Sequence, residues 1–120
     1  MATAVYITAR VDLQIKADTD ISIATTILNS AGGAYDFSNK TDSDWEIYDH
    51  EGPDKTLIKN WGEHATEGVS YASNVVTINA AWSGISTILP AGIYYYLNTY
   101  EDDTLTNPTH KITDGTLEVL

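Results

Sequence analysis

A chain of 120 residues is close to the commonest size for one domain, and with no cysteine it has no disulfide, thiolate metal site or cysteine nucleophile available to it. Six Lys and Arg face seventeen Asp and Glu, a formal net charge of -11, and the basic residues Arg10, Lys16, Lys40, Lys55, Lys59 and Lys111 are scattered. The clustered positive charge that binds nucleic-acid phosphates or anionic lipid is therefore missing. No basic, apolar leader opens at Met1–Ile7, and no run approaches the ~20 apolar residues of a membrane span, so the expectation is a soluble protein.

Arg10–Lys16 alternates cleanly, with Val11, Leu13 and Ile15 on one side and Asp12, Gln14 and Lys16 on the other, and predicts the first strand. Residues 1–9 are set apart as an N-terminal extension, and Met1 is read as a natural start. A turn at Asp18–Asp20 leads to a second strand, Ile21–Asn29, and a Gly-containing turn follows at Asn29–Gly33. Trp45–His50 is the third strand, closed by the turn Glu51–Asp54, and Thr56–Trp61 the fourth. Gly62–Gly68 is expected to be a loop. Asn74–Ala80 is the fifth strand, with Val76, Ile78 and Ala80 inward.

Ala81–Leu89 is the one helical piece, about two turns at most, and Pro90 stops it. Gly92 opens the sixth strand, Ile93–Glu101, where Tyr94, Tyr96 and Tyr100 share the core face and Tyr95 points outward. His110–Leu120 is the last, with a bulge expected at Gly115. About seven short strands with almost no helix is the count of an immunoglobulin-like antiparallel β-sandwich, here residues 10–120, with Trp45 as its central aromatic.

The chemistry tests fail one after another. His50, His64 and His110 share no zinc spacing, Trp82-Ser83-Gly84 is only a fragment of a serine elbow, and no phosphate-binding glycine loop occurs. The acidic pairs Asp18/Asp20, Asp42/Asp44 and Asp102/Asp103 lack the fixed spacing of an EF-hand and read as turn carboxylates. No glycosidase-like aromatic cleft with a buried acid is visible. The expectation is a non-enzyme with no catalytic, metal or cofactor residues and no cofactor.

Four segments together resemble a known family. Asp36-Phe37-Ser38-Asn39-Lys40-Thr41 is similar to the D-L-T-G-x-T lead-in of small phage structural domains, and Asn74-Val75-Val76-Thr77-Ile78 to their strand before a short helix. Leu89-Pro90-Ala91-Gly92-Ile93-Tyr94-Tyr95-Tyr96 resembles their L-P-A-G-x-Y-Y-Y run, and Gly115-Thr116-Leu117-Glu118-Val119 their closing strand. Asn39-Lys40 departs from the Gly-containing turn, and Asn98 falls where an apolar residue is usual, which points to a bulge or a polar contact. Such domains stand at the N-terminus of baseplate upper proteins and in head, neck or tail accessory proteins.

The resemblance implies a non-enzymatic virion component assembled in the host bacterial cytoplasm. Its partners would be portal, capsid, tail or baseplate proteins and further copies of itself, not nucleic acid or membrane. Trp61, Tyr71, Trp82 and Tyr95 are the candidate interface residues, since aromatics are enriched in protein contacts, and each suits a core equally well. A carbohydrate-binding sandwich that adheres to a host surface through Trp61 or Trp82 is the alternative.

Overall fold

The computed structural model describes residues 3–16, 18–64 and 67–120. Their strands are β1 (Thr3–Tyr6), β2 (Ala9–Arg10), β3 (Leu13–Ile15), β4 (Ile21–Leu28), β5 (Asp42–Tyr48), β6 (Leu57–Gly62), β7 (Gly68–Ala72), β8 (Val75–Ala80), β9 (Gly92–Glu101) and β10 (Thr109–Val119). A single helical turn, α1 (Trp82–Ile85), lies between β8 and β9. The first sheet runs β1-β4-β8-β7; the second runs β2-β10-β9-β5-β6, with β3 also on β10. The two sheets form a β-sandwich that departs from the expected purely antiparallel pattern: β1 lies parallel to β4, and β2 and β3 lie parallel to β10. Among the described residues no helix is long and apolar enough to cross a membrane.

The core follows the period-2 pattern. Ile27, Val69, Val76 and Ile78 from the first sheet meet Trp45, Ile47, Tyr96 and Leu117 from the second, and all are nearly or fully buried. Each such aliphatic side chain contributes roughly 1.5–3 kcal/mol relative to exposure. Trp45 sits at the centre, stacked on Trp61 at 4.7 Å between ring centroids and 25° between planes. Leu89 and Ile85, from the α1 segment, are also buried; the turn is held where Asp20 Oδ1 accepts the Trp82 amide at 2.8 Å.

The structure differs from the sequence reading in several places. The predicted first strand is divided into β2 and β3 at Val11–Asp12; both pieces keep one parallel register on the same edge of β10, and between them Val11 donates its amide to Asp114 O at 2.7 Å. Gly115 makes the close approach of that segment feasible: a Cβ there would overlap the Val11 carbonyl. The bulge is not at Gly115 but between Lys111 and Thr113, opposite Asn98. Two strands were not predicted at all. Thr3–Tyr6 forms β1, and Gly68–Ala72 forms β7, with Val69 buried and Tyr71 half-buried.

Candidate interaction surfaces

The four aromatic candidates all pack into the chain's own structure. Trp61 faces inward from β6, is 9% exposed, and has one ring face on Trp45 and the Lys59 ammonium 5.6 Å from its centroid. Tyr71 is half-buried against Phe37, at 5.1 Å between centroids, with the Lys40 ammonium 4.4 Å from its ring. Its hydroxyl bonds Ser43 Oγ at 2.6 Å, and burial pushes its ionisation well above the usual tyrosine range. Trp82 opens α1 half-buried against the core.

Tyr95 does point away from the core, as its parity requires, yet it is only 9% exposed. Its hydroxyl donates to Asp114 Oδ2 at 2.6 Å, and its ring lies 6.2 Å from that of Tyr48. Burial first, then the Asp114 carboxylate, raises its ionisation well above the usual range. A second tyrosine cluster closes the end where β5, β9 and β10 meet. Tyr35 and Tyr100 share a short hydroxyl–hydroxyl bond, and His110 stacks on Tyr100 at 5.3 Å.

The outer face of the second sheet is charged. Arg10 holds Glu51 through two bonds of 2.7 and 2.9 Å, Lys111 reaches Asp114 at 3.3 Å, and Gln14 bonds Glu118 at 2.9 Å. Asp42, Asp44 and Glu46 follow one another at alternate positions along β5. Exposed pairs of this kind contribute at most about 1 kcal/mol each. Within this charged field Ile93 is 64% exposed, beside Glu118 across the strand pair.

The outer face of the first sheet is the opposite. None of its strands, Thr-Ala-Val-Tyr, Ile-Ser-Ile-Ala-Thr-Thr-Ile-Leu, Gly-Val-Ser-Tyr-Ala or Val-Val-Thr-Ile-Asn-Ala, has a charged residue. Alternation does not reveal this, because it needs the order β1-β4-β8-β7 to bring the four together.

The titratable groups are engaged locally. His50 bonds Asp54 and Asp49 at 2.9 Å each in the turn after β5, and these carboxylates raise its ionisation. His64 Nδ1 accepts the Glu67 amide at 3.1 Å. Of the acidic pairs, Asp42 Oδ1 accepts the Ser43 amide at the start of β5, and Asp102 Oδ1 accepts the Thr104 amide in the turn after β9. Among the described residues no group of three or more His, Cys, Asp or Glu is placed to hold a metal. A crevice of about 310 Å³ lies between the end of β3 and the start of β4, lined by Gln14, Ile15, Lys16, Asp20, Ile21 and Ile23. It brings one lysine and one aspartate together with isoleucines and the hydroxyl residues Thr19 and Ser22, and its lining has no histidine.

No protein-family model matches the sequence, and no curated protein matches it. Solved structures do share its fold. The N-terminal domain of phage TP901-1 ORF48 matches over 98% of this chain and 98% of that one, with a TM-score of 0.52 and 10% sequence identity. At that identity the likeness is one of fold.

Proposed function

We propose that this chain is a non-enzymatic structural component of a bacteriophage particle that acts through protein–protein contacts. The observation that carries the reading is the end-to-end likeness in fold to a domain of a phage protein, both chains being covered almost completely. The resemblance of the Leu89–Tyr96 and Gly115–Val119 segments to phage structural domains agrees with it, and those segments form the start of β9 and the end of β10. The surface suits contact: it presents two sheet faces of contrasting character, one without charge and one charged. Baseplate or tail, neck and head positions all suit such a frame, where repetition gives weak contacts avidity.

The experiment is mass spectrometry of purified particles from the source, with copy number set against the major capsid protein. Presence in several copies per particle is the expected result. Absence from clean particles would overturn the proposal. Sugar stacking at Trp61 has no support, since one face of its ring is taken by Trp45 and Lys59 lies over the indole.

A further inference from the structure

We infer that the uncharged outer face of the first sheet is a self-docking surface, on which a second copy of this chain packs face to face about a two-fold axis. The inference goes beyond the particle assignment and does not depend on it, since it rests on this chain's own charge and shape.

The charge distribution selects the face. The chain has a formal net charge of -11, so two copies repel one another at a distance. All of that charge lies off β1, β4, β7 and β8. The second sheet, by contrast, carries Asp42, Asp44, Glu46, Glu101, Asp114 and Glu118 along its strands against Arg10, Lys59 and Lys111, an excess of carboxylates. Two copies that met through the second sheet would bring two such acidic excesses together. Two that meet through the first sheet keep them at the far sides of the pair.

Shape agrees with charge. The outward positions, alternating with the core residues Ile27, Val69, Val76 and Ile78, centre on Ala24, Thr26, Ser70, Ala72, Val75 and Thr77. Cross-strand register sets Thr26 beside Val75 and then Ala72, and Ala24 beside Thr77 and then Ser70. Side chains this short leave a flat surface, and flat sheets pack face to face at about 10 Å. Hydroxyls both donate and accept, so Thr26, Ser70 and Thr77 are complementary to the same residues on a second copy. An anionic or cationic partner would find no counter-charge here. At the β1 edge Tyr6 is 56% exposed beside Leu28 and supplies an aromatic anchor.

Size sets the strength. Four strands about 4.8 Å apart, paired over about six residues at roughly 3.3 Å each, present about 400 Å² per copy. The pair would bury roughly 800 Å², short of the roughly 1,200 Å² of interfaces that persist in dilute solution. The isolated protein is therefore expected to pair weakly, with a Kd of the order of 100 μM, and to pair firmly only where copies are held close.

Sedimentation equilibrium of the intact chain tests this, from about 20 μM to about 1 mM protein, in about 0.05 M and about 0.5 M salt. The expected result is a mass that rises from 13.1 kDa toward twice that value with concentration, and rises more at the higher salt, because screening weakens the repulsion. Thr77→Glu places a charge at the centre of the face and is expected to weaken pairing at least about tenfold. Ser70→Lys is made alongside it, so that a folding defect in one variant leaves the other to report, with the far-UV spectrum as the check. Glu46→Gln, on the other sheet, leaves pairing intact. A monomer at the highest concentration and salt overturns the inference. So does pairing that survives both Thr77→Glu and Ser70→Lys in folded protein, or that is lost with Glu46→Gln. A partner other than a second copy would give the first of these results. Particle mass spectrometry reads the particle assignment separately, so either idea can fail alone.

Discussion

Gly115→Ala is expected to be among the most damaging single substitutions in the chain, although it adds one methyl group. The added Cβ would overlap the Val11 carbonyl, which is backbone and cannot rotate away. The segment linking β2 to β3 must lift off β10, and three bonds hold it there: Val11 N–H to Asp114 O at 2.7 Å, Tyr96 Oη–H to Val11 O at 2.5 Å, and Thr116 N–H to Asp12 Oδ1 at 3.0 Å. At about 1 kcal/mol each they sum to about 3 kcal/mol, before any loss of Leu13 and Ile15 packing. For a domain of this size that lowers Tm by roughly 12 °C. Tyr96→Phe removes one of the three and should cost about 1 kcal/mol. Because the alanine variant has already lost that bond, the double variant should fall short of the sum. Urea unfolding of the four proteins gives the cycle. A Gly115→Ala protein within about 1 kcal/mol of the parent would show that the close packing there is slack and the reasoning wrong.

Tyr71, Tyr95, Tyr96 and Tyr100 share one behaviour: burial raises the ionisation of each, that of Tyr96 to about 12. Raised above the unfolded value of about 10, these groups contribute stability that is complete below about pH 10 and declines as pH climbs through the folded values. Phenolate absorbance from them should therefore appear together with loss of the β-sheet CD signal; phenolate from all four in folded protein would contradict this. His50, raised by Asp54 and Asp49, contributes below about pH 6.5 and loses that contribution as pH rises through its folded value. NMR titration should show it above about 6.5, and Asp54→Asn should bring it back toward that value. Trp61→Ala should cost about 3–5 kcal/mol and abolish the near-UV signature of the stacked indoles; a loss below about 1 kcal/mol would mean that Trp61 adds little to the core.

The residues that announced themselves were those whose neighbours in sequence carry the signal. Val76, Ile78 and Ala80 alternate, and all three are buried on β8. Pro90 and Gly92 do lead directly into β9, whose Tyr96 and Tyr100 lie in the core. What stayed hidden depends on partners far away in the chain. β1 is four residues long, too short to show a period, and exists because Thr25–Leu28 pair with it. β7 opens at Gly68 and is followed by Ser73, whose φ of 56° turns the hairpin, so its Val69 and Tyr71 fall in a stretch too short to show a period and outside the predicted strands. Tyr95 shows a separate limit: period tells which way a side chain points, and Tyr48 and Asp114 decide whether anything covers it.

The place of β10 also governs how the chain can reach this state. Its two sides are claimed by β9, its neighbour in sequence, and by β3, whose Gln14 and Glu118 are 104 residues apart. Relative to a hairpin such as β7–β8, closing so long a loop costs about 2 kcal/mol more in chain entropy. The local hairpins are thus favoured to assemble early, and Leu13–Ile15 to join late. On the ribosome the delay is longer. The first strands of the second sheet emerge with their edge unclaimed and stay so until Thr113–Val119 have been made, when the last strand of the fold gives that sheet's first strands their partner.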